Sequence, residues 1–299
     1  MAEPTNVRAF FYMALLTVVL SSAGFALLHF RLIGYGLTFF VLVPLCIGYF
    51  MGQVPSWRRS FYFSIVLGMV TFLYLLLTLQ LEGMFCVLTL SPLLIALVFL
   101  GSWIGYAMRR AAGPKPGRDA RLTLTPLVLL LLAGILEHYF AEKYAFVRVE
   151  TRLLLPYAPE RVYDFIRNVD TLDAPKPLLL RLGLSVPQKC RMEKEEVGAG
   201  RTCYFEEGTI EERVTALERG RLLKMEVTRY GLPGRQWLKF REASYRFTPH
   251  GGGTLLTRVT SYRTELKPRF YWRFWEAEAI EAEHEYVLTD LRRRLDAAR

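Results

Sequence analysis

The chain has 299 residues, 52% of them hydrophobic, 38 Lys and Arg against 28 Asp and Glu, a formal net charge of +10 and only four cysteines and four histidines. Length allows roughly two domains, and a mean hydropathy of +0.21 is high for a water-soluble protein. No Cys-x-x-Cys occurs and His29, His138, His250 and His284 are scattered, which argues against a structural zinc site; no cofactor is expected.

Charge divides the chain unevenly. Residues 1–140 hold nine Lys or Arg and four Asp or Glu, whereas residues 141–299 hold 29 and 24. That is a membrane block followed by a water-soluble block. A span needs about 20 apolar residues to cross the hydrocarbon layer. Five stretches qualify: Ala9 to His29, Ile33 to Gly52, Phe61 to Leu81, Met84 to Met108 and Leu122 to Phe140. Breaks fall at Arg31, at Pro55 to Arg59, at Glu82-Gly83, and at Arg109 to Arg121 around Gly113-Pro114-Lys115-Pro116-Gly117. Pro44 and Pro92 sit inside spans, where kinks are tolerated. Tyr49, Trp57, Trp103, Tyr106, Tyr139 and Tyr144 fall near span ends, as an aromatic belt would. The first stretch also admits a signal-peptide reading, with Ser21-Ser22-Ala23 as cleavage site, but the apolar run continues past it.

Loop charge gives an orientation. With five spans, Arg8, Arg58, Arg59, Arg109, Arg110, Lys115, Arg118 and Arg121 share one side, opposite Arg31 and Glu82. The basic side is expected to be cytoplasmic, which places the C-terminal domain outside. No charge lies deep within a span; Glu82 and Glu137 sit at edges, so the block reads as an anchor rather than an ion path.

The soluble block changes period. Val147, Val149, Thr151, Leu153 and Leu155 alternate as a half-buried strand, and Pro159 opens a short helix through Val162, Phe165 and Ile166. Residues 171–188 are proline-rich and irregular. Cys190 to Arg263 reads as an antiparallel meander of about six strands, punctuated by Gly198-Ala199-Gly200, Gly208, Arg219-Gly220, Gly231 to Gly234 and Gly251-Gly252-Gly253. After Pro268 the spacing turns helical, with Phe270, Phe274, Ala277, Glu281, His284, Leu288, Leu291 and Leu295 on one face of a helix of about 28 residues.

Three stretches carry a family resemblance: Ala158-Pro159-Glu160-Arg161-Val162-Tyr163; Gly200-Arg201-Thr202-Cys203-Tyr204-Phe205 leading to Gly208; and Gly253-Thr254-Leu255 to Thr260-Ser261-Tyr262, followed by Pro268 to Trp275. In this order the soluble block resembles the START-like, or polyketide cyclase and lipid-transport (SRPBCC), superfamily with its helix-grip fold. The expected architecture is therefore an N-terminal all-α transmembrane bundle of about five spans over residues 1–142. An α+β helix-grip domain follows over 146–299, a curved antiparallel sheet around a long C-terminal helix. The resemblance implies a deep, mostly apolar cavity between sheet and helix. It does not imply one activity, since members include carriers, cyclases, hydrolases and sensors.

Candidate site residues follow by parity. Phe205, Ile210, Val214, Leu223, Met225 and Val227 point inward, with Phe274 on the helix closing the cavity and Trp237, Tyr245, Tyr262 and Trp275 at its mouth. The plainer reading makes the same residues a packed core. Glu212 shares parity with Ile210 and Val214. Glu281 and His284, three apart on one helix face, form a candidate general acid–base pair, or else an edge carboxylate and a satisfied core histidine. Arg201 is a candidate holder of a carboxylate or phosphate headgroup, or the ion-pair partner of a neighbouring glutamate. Cys190 and Cys203 suit a disulfide on neighbouring strands if the domain is extracytoplasmic, and buried thiols otherwise. Arg292-Arg293-Arg294 suits the helix C-terminus and is a candidate headgroup contact.

The reading that follows is a membrane-anchored carrier or sensor for a hydrophobic ligand, such as a lipid or polyketide-like molecule. Its partners are the bilayer and that ligand, with no nucleic acid, because the soluble half interleaves its charges. The alternatives are a cyclase or dehydratase using Glu281, His284 and Tyr262, or an interaction module for another membrane protein.

Overall fold

The structure, a computed structural model, describes residues 7–30, 34, 36–53, 58–79, 81–112, 118–140, 144–232 and 237–299. The predicted breaks at Arg31, 55–57 and 113–117, the start of the second span at Ile33 and part of the turn at 231–234 lie outside them. The chain divides into two compact units, the second comprising Tyr144–Glu265 and Phe270–Arg299.

The N-terminal unit contains α1 (Val7–His29), a π-helical turn (Thr38–Leu42) continuing into α2 (Val43–Gln53), α3 (Arg58–Thr78), α4 (Met84–Ala112) and α5 (Arg118–Phe140). Three helical segments are long and apolar enough to cross a membrane: Phe10–His29, Phe61–Thr78 and Met84–Ala111. Among the described residues the other two apolar segments, Thr38–Gln53 and Thr125–Tyr139, are shorter, so three of the expected spans are supported and the count of about five is not confirmed. Glu137 of α5 accepts the backbone N–H groups of Leu37 and Thr38 at 2.7 and 2.9 Å, which ties the first turn of the second segment to α5.

Met13, Ile47, Met51, Ile65, Met69, Phe72, Val87 and Val98 form a shared core of α1 to α4. The outward faces are apolar too, with Phe11, Phe63 and Leu131 at 60%, 70% and 67% exposure. Helices apolar on all sides suit a surrounding that is itself apolar. Small residues set how closely α2 and α4 pack. A Cβ at Gly48 or Gly52 would lie 2.0 Å from the Val98 carbonyl or 2.2 Å from that of Ser102. One at Gly101 or Gly105 would lie 2.2 Å from the carbonyl of Leu45 or Tyr49. Each helix thus carries a Gly-x-x-x-Gly step against the other, the membrane device for close backbone approach.

The C-terminal unit is one curved seven-stranded antiparallel sheet with a long helix. The strands are β1 (Ala145–Leu155), β2 (Pro187–Met192), β3 (Gly200–Phe205), β4 (Thr209–Glu218), β5 (Leu222–Tyr230), β6 (Leu238–His250) and β7 (Gly253–Thr264). Their spatial order is β1-β7-β6-β5-β4-β3-β2. Strands β2 to β7 are the expected six-strand meander, and β1 returns to pair with β7. The β6–β7 hairpin closes through Gly251 and Gly252, both at positive φ (56° and 80°), as a two-residue turn demands. Between β1 and β2 lie α6 (Pro159–Arg167), which buries Val162, Tyr163 and Ile166, and the short α7 (Leu178–Arg181).

Helix α8 (Arg269–Ala297) closes the domain. Its buried row is Trp272, Glu276, Ile280, His284, Leu288, Leu291 and Leu295, at steps of three and four. The N-terminal half of this row differs from the predicted face: Phe270 and Phe274 are 83% and 56% exposed. An inward Glu276 hides the row from a search for apolar residues. At the C-terminal end Leu288, Leu291 and Leu295 join Leu155, Tyr163, Val214, Leu223, Met225, Phe247 and Leu256 in a packed apolar cluster. A second flank of α8, at Ala282, Tyr286 and Asp290, meets the segment around residues 169–186. There Tyr286 donates to the Leu172 carbonyl at 2.8 Å, and Asp290 accepts from the Asp173 N–H at 3.1 Å.

Candidate functional site

The inward row of β7 is Thr254, Leu256, Arg258, Thr260, Tyr262 and Thr264, every one buried. Four of the six meet polar groups on α8. Arg258 donates through Nη2 to both carboxylate oxygens of Glu283, at 3.0 and 2.8 Å. Thr260 and, from β1, Thr151 place hydroxyls 2.7 and 2.8 Å from Nε2 and Nδ1 of His284. The Tyr262 and Thr264 hydroxyls donate to Glu276 at 3.3 and 2.7 Å. Helical steps bring Glu276, Glu283 and His284 to one strand because strand parity repeats every two residues along β7.

A second ion pair lies across β3 and β4, where Arg201 and Glu212 face each other in register. Arg201 Nη1 donates to Glu212 at 2.6 Å, and the side chains are 4% and 8% exposed. Tyr245, on β6 opposite Arg258 of β7, feels both pairs. Burial raises its phenol pKa, while Arg258 and Arg201 pull the other way; the Arg258 guanidinium lies 5.5 Å from its ring centroid. These five groups form one interior charge cluster, bordered by the fully buried Leu223, Met225 and Leu256.

Within it, Arg258 is incompletely satisfied. Its side chain is 8% exposed, yet Nε and Nη1 meet no acceptor among the described residues. A buried donor without a partner costs about 1–3 kcal/mol, more when charged, so such a group calls for an explanation.

The structure sorts the sequence candidates. Arg201 and Glu212 are brought together as a mutual ion pair, the plainer of the two readings for Arg201. Tyr245, Tyr262 and Met225 are buried at 4%, 0% and 0%, while Phe205 is only partly buried, against the cluster around Cys190 and Cys203. Trp237 packs beside Leu238, Tyr262 and Ile280. Trp275 is half-buried and touches the exposed Phe274 edge-on, so Phe274 does not close the interior. Glu281 and His284 are not brought together. Glu281 is exposed, and His284 is fully buried with both ring nitrogens engaged by threonines. Burial first, and then the Arg258 charge, depress the His284 pKa to about 2. A ring neutral throughout the working range makes a poor proton carrier. The three closing arginines are spent within the domain: Arg292 on the Leu154 carbonyl, Arg293 on Asp173 and Arg294 on Asp290. Cys190 and Cys203, directly opposed on β2 and β3, form a disulfide.

Arg258, Thr260, Glu276 and Glu283 went unread in the sequence. The signal was present: Arg258 and Thr260 share parity with Tyr262, and Glu276 and Glu283 share a helical face with Ile280 and Leu291.

A sheet gripping a long C-terminal helix around a partly polar interior defines the helix-grip class. The chain belongs to the polyketide cyclase / dehydrase and lipid transport family, whose profile matches residues 147–296. Among solved structures, a Mesorhizobium loti protein is 15% identical, the match covering 51% of this chain and 99% of that one at a TM-score of 0.34. A Staphylococcus aureus protein is 16% identical over 52% and 97%, at 0.37. Norcoclaurine synthase from Thalictrum flavum, solved with dopamine and hydroxybenzaldehyde, is 11% identical over 52% and 90%, at 0.36. No curated protein matches the chain.

Proposed function

We propose that this protein is a membrane-anchored carrier or sensor that binds a hydrophobic molecule, such as a lipid or a polyketide-like compound, inside its C-terminal domain. The observation that carries this reading is the joining of two things in one chain: a domain of the polyketide cyclase / dehydrase and lipid transport family, and helices long and apolar enough to span a membrane. An anchor confines the domain to the layer where such ligands partition. A binder needs no proton-transfer pair, and Glu281 and His284 supply none. The site comprises Arg201, Glu212, Met225, Tyr245, Arg258 and Tyr262, with Trp237 and Trp275 toward its rim.

In this reading all five apolar helices of the N-terminal unit anchor the chain, with the basic loops cytoplasmic and the C-terminal domain on the opposite side. A Cys190–Cys203 disulfide suits an oxidising compartment and supports that orientation. The test is mass spectrometry of an organic extract of the purified full chain. A stoichiometric lipid or polyketide-like species is expected, and its absence across several membrane backgrounds would remove the reading. Protease accessibility of the C-terminal domain in sealed inside-out vesicles checks the orientation: protection is expected, and digestion would reverse it.

A further inference from the structure

We infer that Arg258 is the polar anchor of the ligand site, and that the group it takes is the uncharged carbonyl oxygen, a ketone or ester, of an otherwise apolar molecule. This rests on the reading of the domain as a binder of hydrophobic ligands and narrows it to a chemical class.

Arginine offers five N–H donors and no acceptor. Glu283 engages Nη2 alone, at 3.0 and 2.8 Å, which leaves the donors of Nε and Nη1 without an acceptor among the described residues while the side chain stays more than nine-tenths buried. The missing partner must therefore be an acceptor. Charge decides which kind. Arg258 is balanced by Glu283, and Arg201 by Glu212 at 2.6 Å, with His284 held between two threonine hydroxyls. The cluster is closed in charge but open in hydrogen bonds. A carboxylate or phosphate would add a buried negative charge with no counterion of its own, whereas a carbonyl accepts from the guanidinium and brings none. The neighbours are apolar: the Tyr245 ring stands beside the guanidinium, and Tyr245 shares one apolar cluster with Leu223, Met225 and Leu256.

The test is competition among 2-tridecanone, tridecane and dodecanoate for the full chain in detergent micelles, read by native mass spectrometry. The ketone is expected to bind roughly tenfold or more tightly than the alkane, the value of a hydrogen bond to a charged donor, and more tightly than the carboxylate. Arg258→Leu combined with Glu283→Gln, which avoids stranding the carboxylate, is expected to erase the preference for ketone over alkane. Equal binding of ketone and alkane by the native chain would overturn the inference and assign the free donors to water. Tightest binding by dodecanoate would also overturn it, in favour of an anion site. These outcomes come from the native chain, so a variant that fails to fold does not blunt the test. Binding of none of the three, with no lipid in the organic extract, would instead bring down the ligand reading itself.

Discussion

Arg201 and Glu212 sit directly opposite one another on β3 and β4, joined by a 2.6 Å hydrogen-bonded ion pair from which water is almost excluded. A pair of this kind adds little net stability compared with apolar residues of the same size, yet losing one member strands a buried charge.

Arg201→Met alone is therefore expected to cost about 3–5 kcal/mol. Arg201→Met with Glu212→Leu is expected to recover most of that loss. Denaturant unfolding of the C-terminal domain within the full chain, followed by its tryptophans, reads both. A double variant as unstable as the single one would count against this account.

The His284 ring predicts a pH dependence. Its folded pKa of about 2 lies below the ordinary 6.5, so below about pH 6.5 the unfolded chain takes up a proton that the folded chain refuses. Stability present above that pH is lost as pH falls, with a limiting slope of about 1.4 kcal/mol per pH unit. His284→Gln is expected to be less stable at neutral pH and to show a flatter profile between pH 6.5 and 4. Thermal melts across that range supply the measurement.

Close approach of α2 and α4 predicts intolerance of any side chain at their contact. Gly101→Ala places a Cβ 2.2 Å from the Leu45 carbonyl, and overpacking of this sort costs about 1–3 kcal/mol. Gly134→Ala, whose Cβ would make ordinary contact with Thr38 at 3.7 Å, is the matched control. Melting in detergent should separate the two, with the control unchanged or slightly stabilised.

Two of the four cysteines should be silent to thiol reagents in the unreduced, denatured chain, leaving Cys46 and Cys86 to react. Replacing Cys190 and Cys203 with serine is expected to cost about 3 kcal/mol, the usual worth of closing a loop of this length. Four reactive thiols would refute the bond.

Much of the fold was legible because its signals are periodic. Alternation from Val147 to Leu155, the glycine-marked turns between Cys190 and Arg263, and the helical spacing after Pro268 each report a local geometry that the tertiary structure kept. The interior was harder to read, and Phe274 shows why. A search for apolar faces selects Phe270, Phe274 and Ala277, but the row that turns inward runs through Glu276, which no hydrophobicity argument would choose. Its warrant lies on another element, in the hydroxyls of Tyr262 and Thr264. Arg258 was missed likewise, since its burial rests on Glu283, 25 residues further along. Of the five apolar runs, three are long enough to cross a membrane among the described residues, and the count of about five is not confirmed.

The bonds between β7 and α8 also bear on how the interior can open. Leucine packed on leucine gives way to small displacements, as the Leu288 to Leu295 end of α8 can. Glu276, Glu283 and His284 each require a particular hydroxyl or guanidinium, and a slide of one turn, 5.4 Å, would strand all three at once. The helix is indexed against the sheet like a bolt in fixed detents. Lifting the helix whole would break the same three contacts, so any opening that spares them must come from elements other than the seam between β7 and α8.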